Sequence, residues 1–178
     1  MKLNNKIPLL LIIAMFSLFS CKTIPENVIA VRTFDKGRYL GKWYEIARFD
    51  FKFEKNLDNT TAEYSLKTDG SIKVINRGFN TVSNEWKEAI GKAKFVGNDS
   101  IAMLKVSFFG PFYGGYNVIA IDSEYKYSLV CGNSLDYLWI LSREKTIPID
   151  IRAKYLALAK GLGFETEKLL WINQDKTP

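Results

Sequence analysis

Eight short β-type runs follow one another between Lys42 and Arg143; the first joint, Asp50 to Asn59, is longer, and each of the other six is a turn-forming break. The runs are 42–50, 60–67, 71–79, 86–96, 101–108, 113–122, 126–131 and 136–143. Between them stand Thr68-Asp69-Gly70, Ser83-Asn84, Gly97-Asn98-Asp99, Gly110-Pro111, Asp122-Ser123 and Gly132-Asn133-Ser134. Gly supplies positive φ, Pro fixes φ, and Asn and Asp bond to their own backbone, so these breaks are turns by mechanism. Strands this short, joined locally, predict an antiparallel meander. Such a sheet exposes two edges unless it closes, and eight strands close into a barrel whose interior holds one small ligand. A two-sheet sandwich satisfies the same pattern, and periodicity alone does not separate the two.

The flanks set the limits of this domain. Lys2 and Lys6 precede an apolar stretch from Ile7 to Phe19, which ends in Leu18-Phe19-Ser20-Cys21. The stretch is too short to cross a bilayer comfortably, which takes about 20 residues, and it reads as a removable signal of residues 1–20. Its ending resembles a bacterial lipobox, which implies that Cys21 becomes an acylated N-terminus. Residues 21–34 then form a lipidated tether, and 35–178 one domain. Asp35 is placed to cap a helical turn within 34–40. After Arg143 the period changes: Ile151, Tyr155, Leu158 and Leu162 form one apolar stripe, predicting a helix of about three turns packed on the barrel wall. Leu169-Leu170-Trp171-Ile172 reads as a short ninth strand.

Composition removes several function classes. Histidine is absent, which excludes Ser-His-Asp and Cys-His catalysis and His-based zinc sites. With Cys21 acylated, Cys131 is the one remaining thiol; it lies in the apolar run Tyr127-Ser128-Leu129-Val130-Cys131 and reads as buried and inert. The formal charge of +6 falls to about +4 without the signal and is scattered. A weak attraction to anionic headgroups is compatible with that, and a nucleic-acid stripe is not present. No cofactor is implied. Glu45 and Glu88 are acidic residues inside strands, and Glu45 reads as one half of an ion pair with a lysine or arginine.

Alternation puts Trp43, Glu45, Ala47 and Phe49 on one face of the first run, and Tyr137, Trp139, Leu141 and Arg143 on one face of the last. Arg143 is then able to lie on the Trp43 ring, with Gly41 leaving room for the chain to cross that end. Gly41-Lys42-Trp43-Tyr44 with this distant Arg resembles the base-closing device of the lipocalins. Three longer stretches are similar to the bacterial outer-membrane lipoprotein members of that family: Leu40 to Arg48, Leu104 to Ala120, and Leu129-Val130-Cys131-Gly132 with Asp136 to Arg143. One departure is that the Tyr of the second signature, expected just after Asp122, is displaced to Tyr125.

The resemblance implies an all-β, eight-stranded up-and-down barrel with a C-terminal helix, binding fatty acids or lysophospholipids. It also implies a membrane anchor through Cys21, the periplasmic face of the outer membrane, and a homodimer. Lys22 stands where an Asp would direct inner-membrane retention. Alternation nominates Ala47, Phe49, Leu104, Val106, Val118, Trp139 and Leu141 as apolar cavity residues. Tyr113, Tyr116 and Arg77 are the candidates to meet a headgroup, and Phe51 and Phe53 form a lid or anchor their loop. The aromatic stretch Phe108 to Tyr113 reads as core filling, or as a self-association or membrane-facing patch. The competing function is an envelope protein whose barrel is filled by aromatics and which acts through its surface.

Overall fold

A computed structural model describes residues 23–177. Its strands are β1 Gly41–Arg48, β2 Leu57–Leu66, β3 Ile72–Asn80, β4 Glu85–Phe95, β5 Met103–Phe109, β6 Phe112–Ile121, β7 Tyr127–Cys131 and β8 Leu138–Ser142. Each is antiparallel to the next, and β1 pairs with both β2 and β8, so the meander closes into a barrel. A sandwich is thereby excluded. A short helix α1, Lys36–Tyr39, precedes β1, and its N-terminus is capped by Asp35, which accepts from Gly37 N at 2.9 Å and Arg38 N at 3.2 Å.

Strand composition follows what each face meets. β7 and β8 are buried on both faces, by the barrel interior on one side and by the helix α2, Ile149–Gly161, on the other. That double burial is why Leu129-Val130-Cys131 and Leu138-Trp139-Ile140-Leu141 are continuous apolar runs. In α2 the buried residues are Tyr155 and Ala159, with Ile151 and Leu162 half-buried beside them, while Leu158 is 37% exposed. The stripe thus turns through Ala159 and not Leu158. Gly163, at φ +92°, ends the helix; Phe164 N bonds Ala159 O and Gly163 N bonds Lys160 O, a Schellman closure.

One irregularity governs the interior. Between Glu45 and Ala47 the β1–β8 register slips by one residue. A bulge of this kind reverses every face assignment beyond it. Trp43, Glu45 and Arg48 therefore face inward, while Ile46, Ala47 and Phe49 pack outward against Tyr155, Leu138 and Ile140. Past the bulge, β1 pairs with the short β9, Leu170–Trp171, and Gln174 Nε2 donates at 2.8 Å to both Glu45 O and Thr60 O, fastening the seam.

Residues 23–34 lie packed along the barrel wall and do not hang free as a tether. Val28, Ala30 and Phe34 are buried there, and Val31 bridges β6 and the β4–β5 connection through Val118 O and Ala102 N.

Candidate ligand cavity

One end of the barrel is shut by Trp43, which is fully buried and donates through Nε1 to Tyr39 O at 2.8 Å. The Arg143 guanidinium lies 3.9 Å from the centre of that ring. It also donates to the carbonyls of Arg38, Tyr39 and Leu40 at 2.8, 3.1 and 2.8 Å, to Lys42 O at 2.7 Å, and to Tyr125 O at 3.3 Å. Arg143 thus caps the C-terminus of α1, where free carbonyls and the helix dipole favour a cation. Gly41 holds φ +92°, and a Cβ there would stand 3.4 Å from Arg143 Nη1, so the crossing chain needs glycine. The displaced Tyr125 joins this closure: its hydroxyl accepts from Asp35 N at 2.8 Å, and Arg38 stacks on its ring.

Above the closure is a cavity of about 600 Å³, within the range of small-molecule sites. Its lower wall carries three tyrosines. Tyr116 shares hydrogen bonds with the hydroxyls of Tyr39, at 2.7 Å, and Tyr64, at 2.8 Å. Burial pushes Tyr39 up to about 12 and holds Tyr64 and Tyr116 well above the ordinary tyrosine range, so all three stay neutral. Their polar atoms are satisfied by one another, and Ile72, Val74, Leu104 and Val106 form an apolar wall around them. Asn76 Oδ1, also on the wall, is a buried acceptor with no hydrogen-bond partner among the described residues.

A charged cluster occupies the β1–β2 side. Buried Arg48 donates through Nη1 to Glu45 Oε1 at 2.7 Å, and its Nε faces Glu54 Oε2 at 3.5 Å. Its Nη2 holds Glu54 O and Leu57 O at 2.7 and 2.9 Å, pinning the β1–β2 connection. Thr60 donates to Glu45, and Trp139 Nε1 reaches Glu54 Oε2. Two carboxyls share one guanidinium. Burial raises Glu45 against the opposing pull of Arg48; burial and the neighbouring Glu45 charge raise Glu54 well above the ordinary range. Both carboxyls are thus held above the ordinary carboxylate range and titrate as a pair.

The sequence candidates divide accordingly. Leu104, Val106, Tyr116, Trp139 and Leu141 stand on the cavity wall. Ala47 and Phe49 do not: the β1 bulge turns them to the α2 side. Val118 faces inward but lies two residues beyond Tyr116, toward the closed end, within the core around Trp43. Arg77 flanks the upper wall through its backbone, but its side chain points outward. Strict β3–β4 alternation opposes it to buried Val74, and it is held by Glu88 at 2.7 Å and Glu63 at 3.3 Å. Tyr113 stands at the rim with Lys105 Nζ 5.3 Å from its ring. Phe51 packs on Trp139 and Tyr137, at 5.1 and 5.5 Å, and anchors its loop, whereas Phe53 is exposed. Cys21 lies outside the described residues. Alternation does not nominate Tyr39, in α1, or Glu54, in the β1–β2 connection, because neither lies in a strand; Tyr64 on β2 and Lys87, on the inward face of β4 at the rim, are legible in principle by alternation.

Comparison with known proteins agrees with this geometry. The model of the lipocalin-like domain family matches residues 34–174. "Outer membrane lipoprotein Blc" of Citrobacter freundii is 55% identical over 90% of this chain and 92% of its own length. The protein of the same name from Vibrio cholerae is 47% identical over 92% of this chain and 96% of its own. Among solved structures, insecticyanin from the tobacco hornworm Manduca sexta shares the fold, with a TM-score of 0.69 over 85% of this chain and 86% of its own, at 18% identity. The closed eight-stranded barrel, its Trp43–Arg143 seal and the family match lead to one conclusion: the chain belongs to the lipocalin family.

Proposed function

We propose that this chain is a lipid-binding lipoprotein of the bacterial outer membrane, acylated at Cys21, that carries one fatty acid or lysophospholipid. The carrying observation is the cavity itself: blind at Trp43 and apolar along most of its wall, with the three tyrosine hydroxyls near its base paired with one another. Such a pocket suits an acyl tail. Burying a dozen methylenes contributes roughly 10 kcal/mol at about 0.8 each, and association costs leave micromolar affinity.

The charged cluster orients the ligand. A lipid carboxylate or phosphate near Glu45 and Glu54 would be desolvated against two buried carboxyls that already share the Arg48 guanidinium, so the headgroup stays at the mouth, where Lys87, paired with Glu85 at 2.6 Å, stands on the wall. Asn76 Oδ1 offers an acceptor to the hydroxyl of a lysophospholipid glycerol. Several acyl chains on Cys21 give firm anchoring, where one chain binds only marginally; Lys22 in place of an Asp supports the outer membrane, with the domain on its periplasmic face. A barrel filled by aromatics is a poorer account of an interior that leaves about 600 Å³ open.

The test is displacement of a fluorescent fatty acid from delipidated protein. Micromolar displacement by fatty acids of membrane chain length or by lysophospholipids is expected. Failure of every such lipid to bind would end the proposal.

A further inference from the structure

The β1–β2, β3–β4, β5–β6 and β7–β8 connections all lie at the open end, because the strands alternate in direction from a closure at Gly41 and Arg143. Each, counted with the strand ends beside it, brings a large apolar side chain into solvent. Phe53 is 74% exposed, Val82 72%, Phe109 72%, Phe112 79% and Leu135 41%. The connections at the sealed end, 67–71, 96–102, 122–126 and 143–148, carry none; exposed apolar groups there are confined to Leu66 and Ile149, at the ends of the flanking elements. Scattered apolar residues on a surface need no explanation, but a ring of them on one end marks an interaction site.

The course of the N-terminal segment says what covers it. Thr23 O accepts from Asn117 Nδ2 at 2.7 Å and lies against Gly115, where any Cβ would collide with it and meet Asn133 of the β7–β8 connection. From there the segment descends: Val31 N bonds Val118 O, and Phe34 N bonds Ser100 O beside the sealed end. The chain therefore comes onto the barrel in its mouth half. Covalent geometry keeps Cys21 within about 7 Å of Thr23. The 11 residues of β4 span roughly 35 Å at ~3.3 Å each, so so short a leash cannot carry the sealed end to the same membrane surface.

We infer that the barrel docks mouth-down on the bilayer, with the Phe53, Val82, Phe109, Phe112 and Leu135 rim in the headgroup–acyl boundary and the cavity facing the leaflet. The inference rests on the lipoprotein reading of Cys21 and extends it: ligand passes between leaflet and cavity along an apolar rim, without crossing open water.

The test uses the acylated full-length protein in vesicles of phosphatidylethanolamine and phosphatidylglycerol. An environment-sensitive fluorophore is attached at Phe112→Cys or, at the sealed end, at Asp99→Cys; Cys131 is buried and stays unlabelled. Quenching by spin-labelled lipid is expected at Phe112→Cys, severalfold greater than at Asp99→Cys, and the triple variant Phe53→Ser/Phe109→Ser/Phe112→Ser should lower the quenching of a rim label at Leu135→Cys severalfold while that at Asp99→Cys stays low. Equal quenching at both sites in the parent protein would overturn the inference. So would a rim label that is already shielded without vesicles and becomes exposed on dilution, since two copies would then be packed mouth to mouth. The intact mass of Cys21 is read from the same sample: an unmodified cysteine sinks the lipoprotein reading, while the quenching ratio decides the docking surface by itself.

Discussion

Replacing Arg143 with Ala tests the seal. Three of the carbonyls it serves, those of Tyr39, Leu40 and Tyr125, are partly buried. Water reaches them incompletely, so each contact is worth about 1 kcal/mol. The Trp43 stacking adds about 1 kcal/mol, and the exposed contacts to Arg38 O and Lys42 O add little. The substitution should cost roughly 3–4 kcal/mol, which for a domain of this size lowers Tm by roughly 6–15 °C. Arg152 provides the comparison, because it stacks at 3.6 Å on Trp171, which is partly exposed. Arg152→Ala should cost below about 1 kcal/mol. Arg143→Lys keeps a charge near the ring but presents its donors from one atom, so it recovers at most half the loss. Urea unfolding followed by far-UV circular dichroism measures all three. Equal small costs for Arg143→Ala and Arg152→Ala, at unchanged m-value, would refute the carbonyl network as the stabilising part of the seal.

Glu54 should set a pH dependence. Its folded pKa is raised above the ordinary value of 4.5, so its contribution is complete below that value and is lost as pH rises toward the folded one. Urea midpoints of the parent should therefore fall as pH rises from the carboxylate range, while Glu54→Gln flattens the slope and gains relative stability at the alkaline end; parallel profiles would contradict this. Val106→Trp, placed on the cavity wall, should reduce fatty-acid affinity at least tenfold with the fold retained by circular dichroism. Burial pushes the Cys131 thiol up to about 12, so in a Cys21→Ser background a thiol-specific disulfide reagent should react stoichiometrically only after unfolding. Rapid reaction of the native protein would show that the β7 wall opens.

Strand identity was legible because turn chemistry and alternation are local. The expected runs match β1 to β8 to within three residues at every end, and Asp35 caps α1 as its position suggested. The interior was less legible. Nothing in Lys42 to Asp50 announces the extra residue at Ile46, so alternation carried Ala47 and Phe49 to the wrong wall. Arg77 has the chemistry of a headgroup ligand, but its neighbours Glu63 and Glu88 lie 14 and 11 residues away in sequence and meet it only once the strands pair. The tyrosine triad joins residues 77 and 52 positions apart. Glu45 is half of an ion pair, as expected, but strict alternation would put its partner Arg48 on the opposite face, and only the bulge brings the two together. Long-range pairing and one bulge, both invisible to periodicity, account for most of the misplaced residues.

Native mass spectrometry of protein released gently from membranes, beside its Val106→Trp variant, tests the central claim most directly. The account predicts an acylated Cys21 and one additional single-chain lipid per barrel, retained by the parent and lost from the variant. A parent that carries no lipid, or a variant that carries as much as the parent, would contradict it.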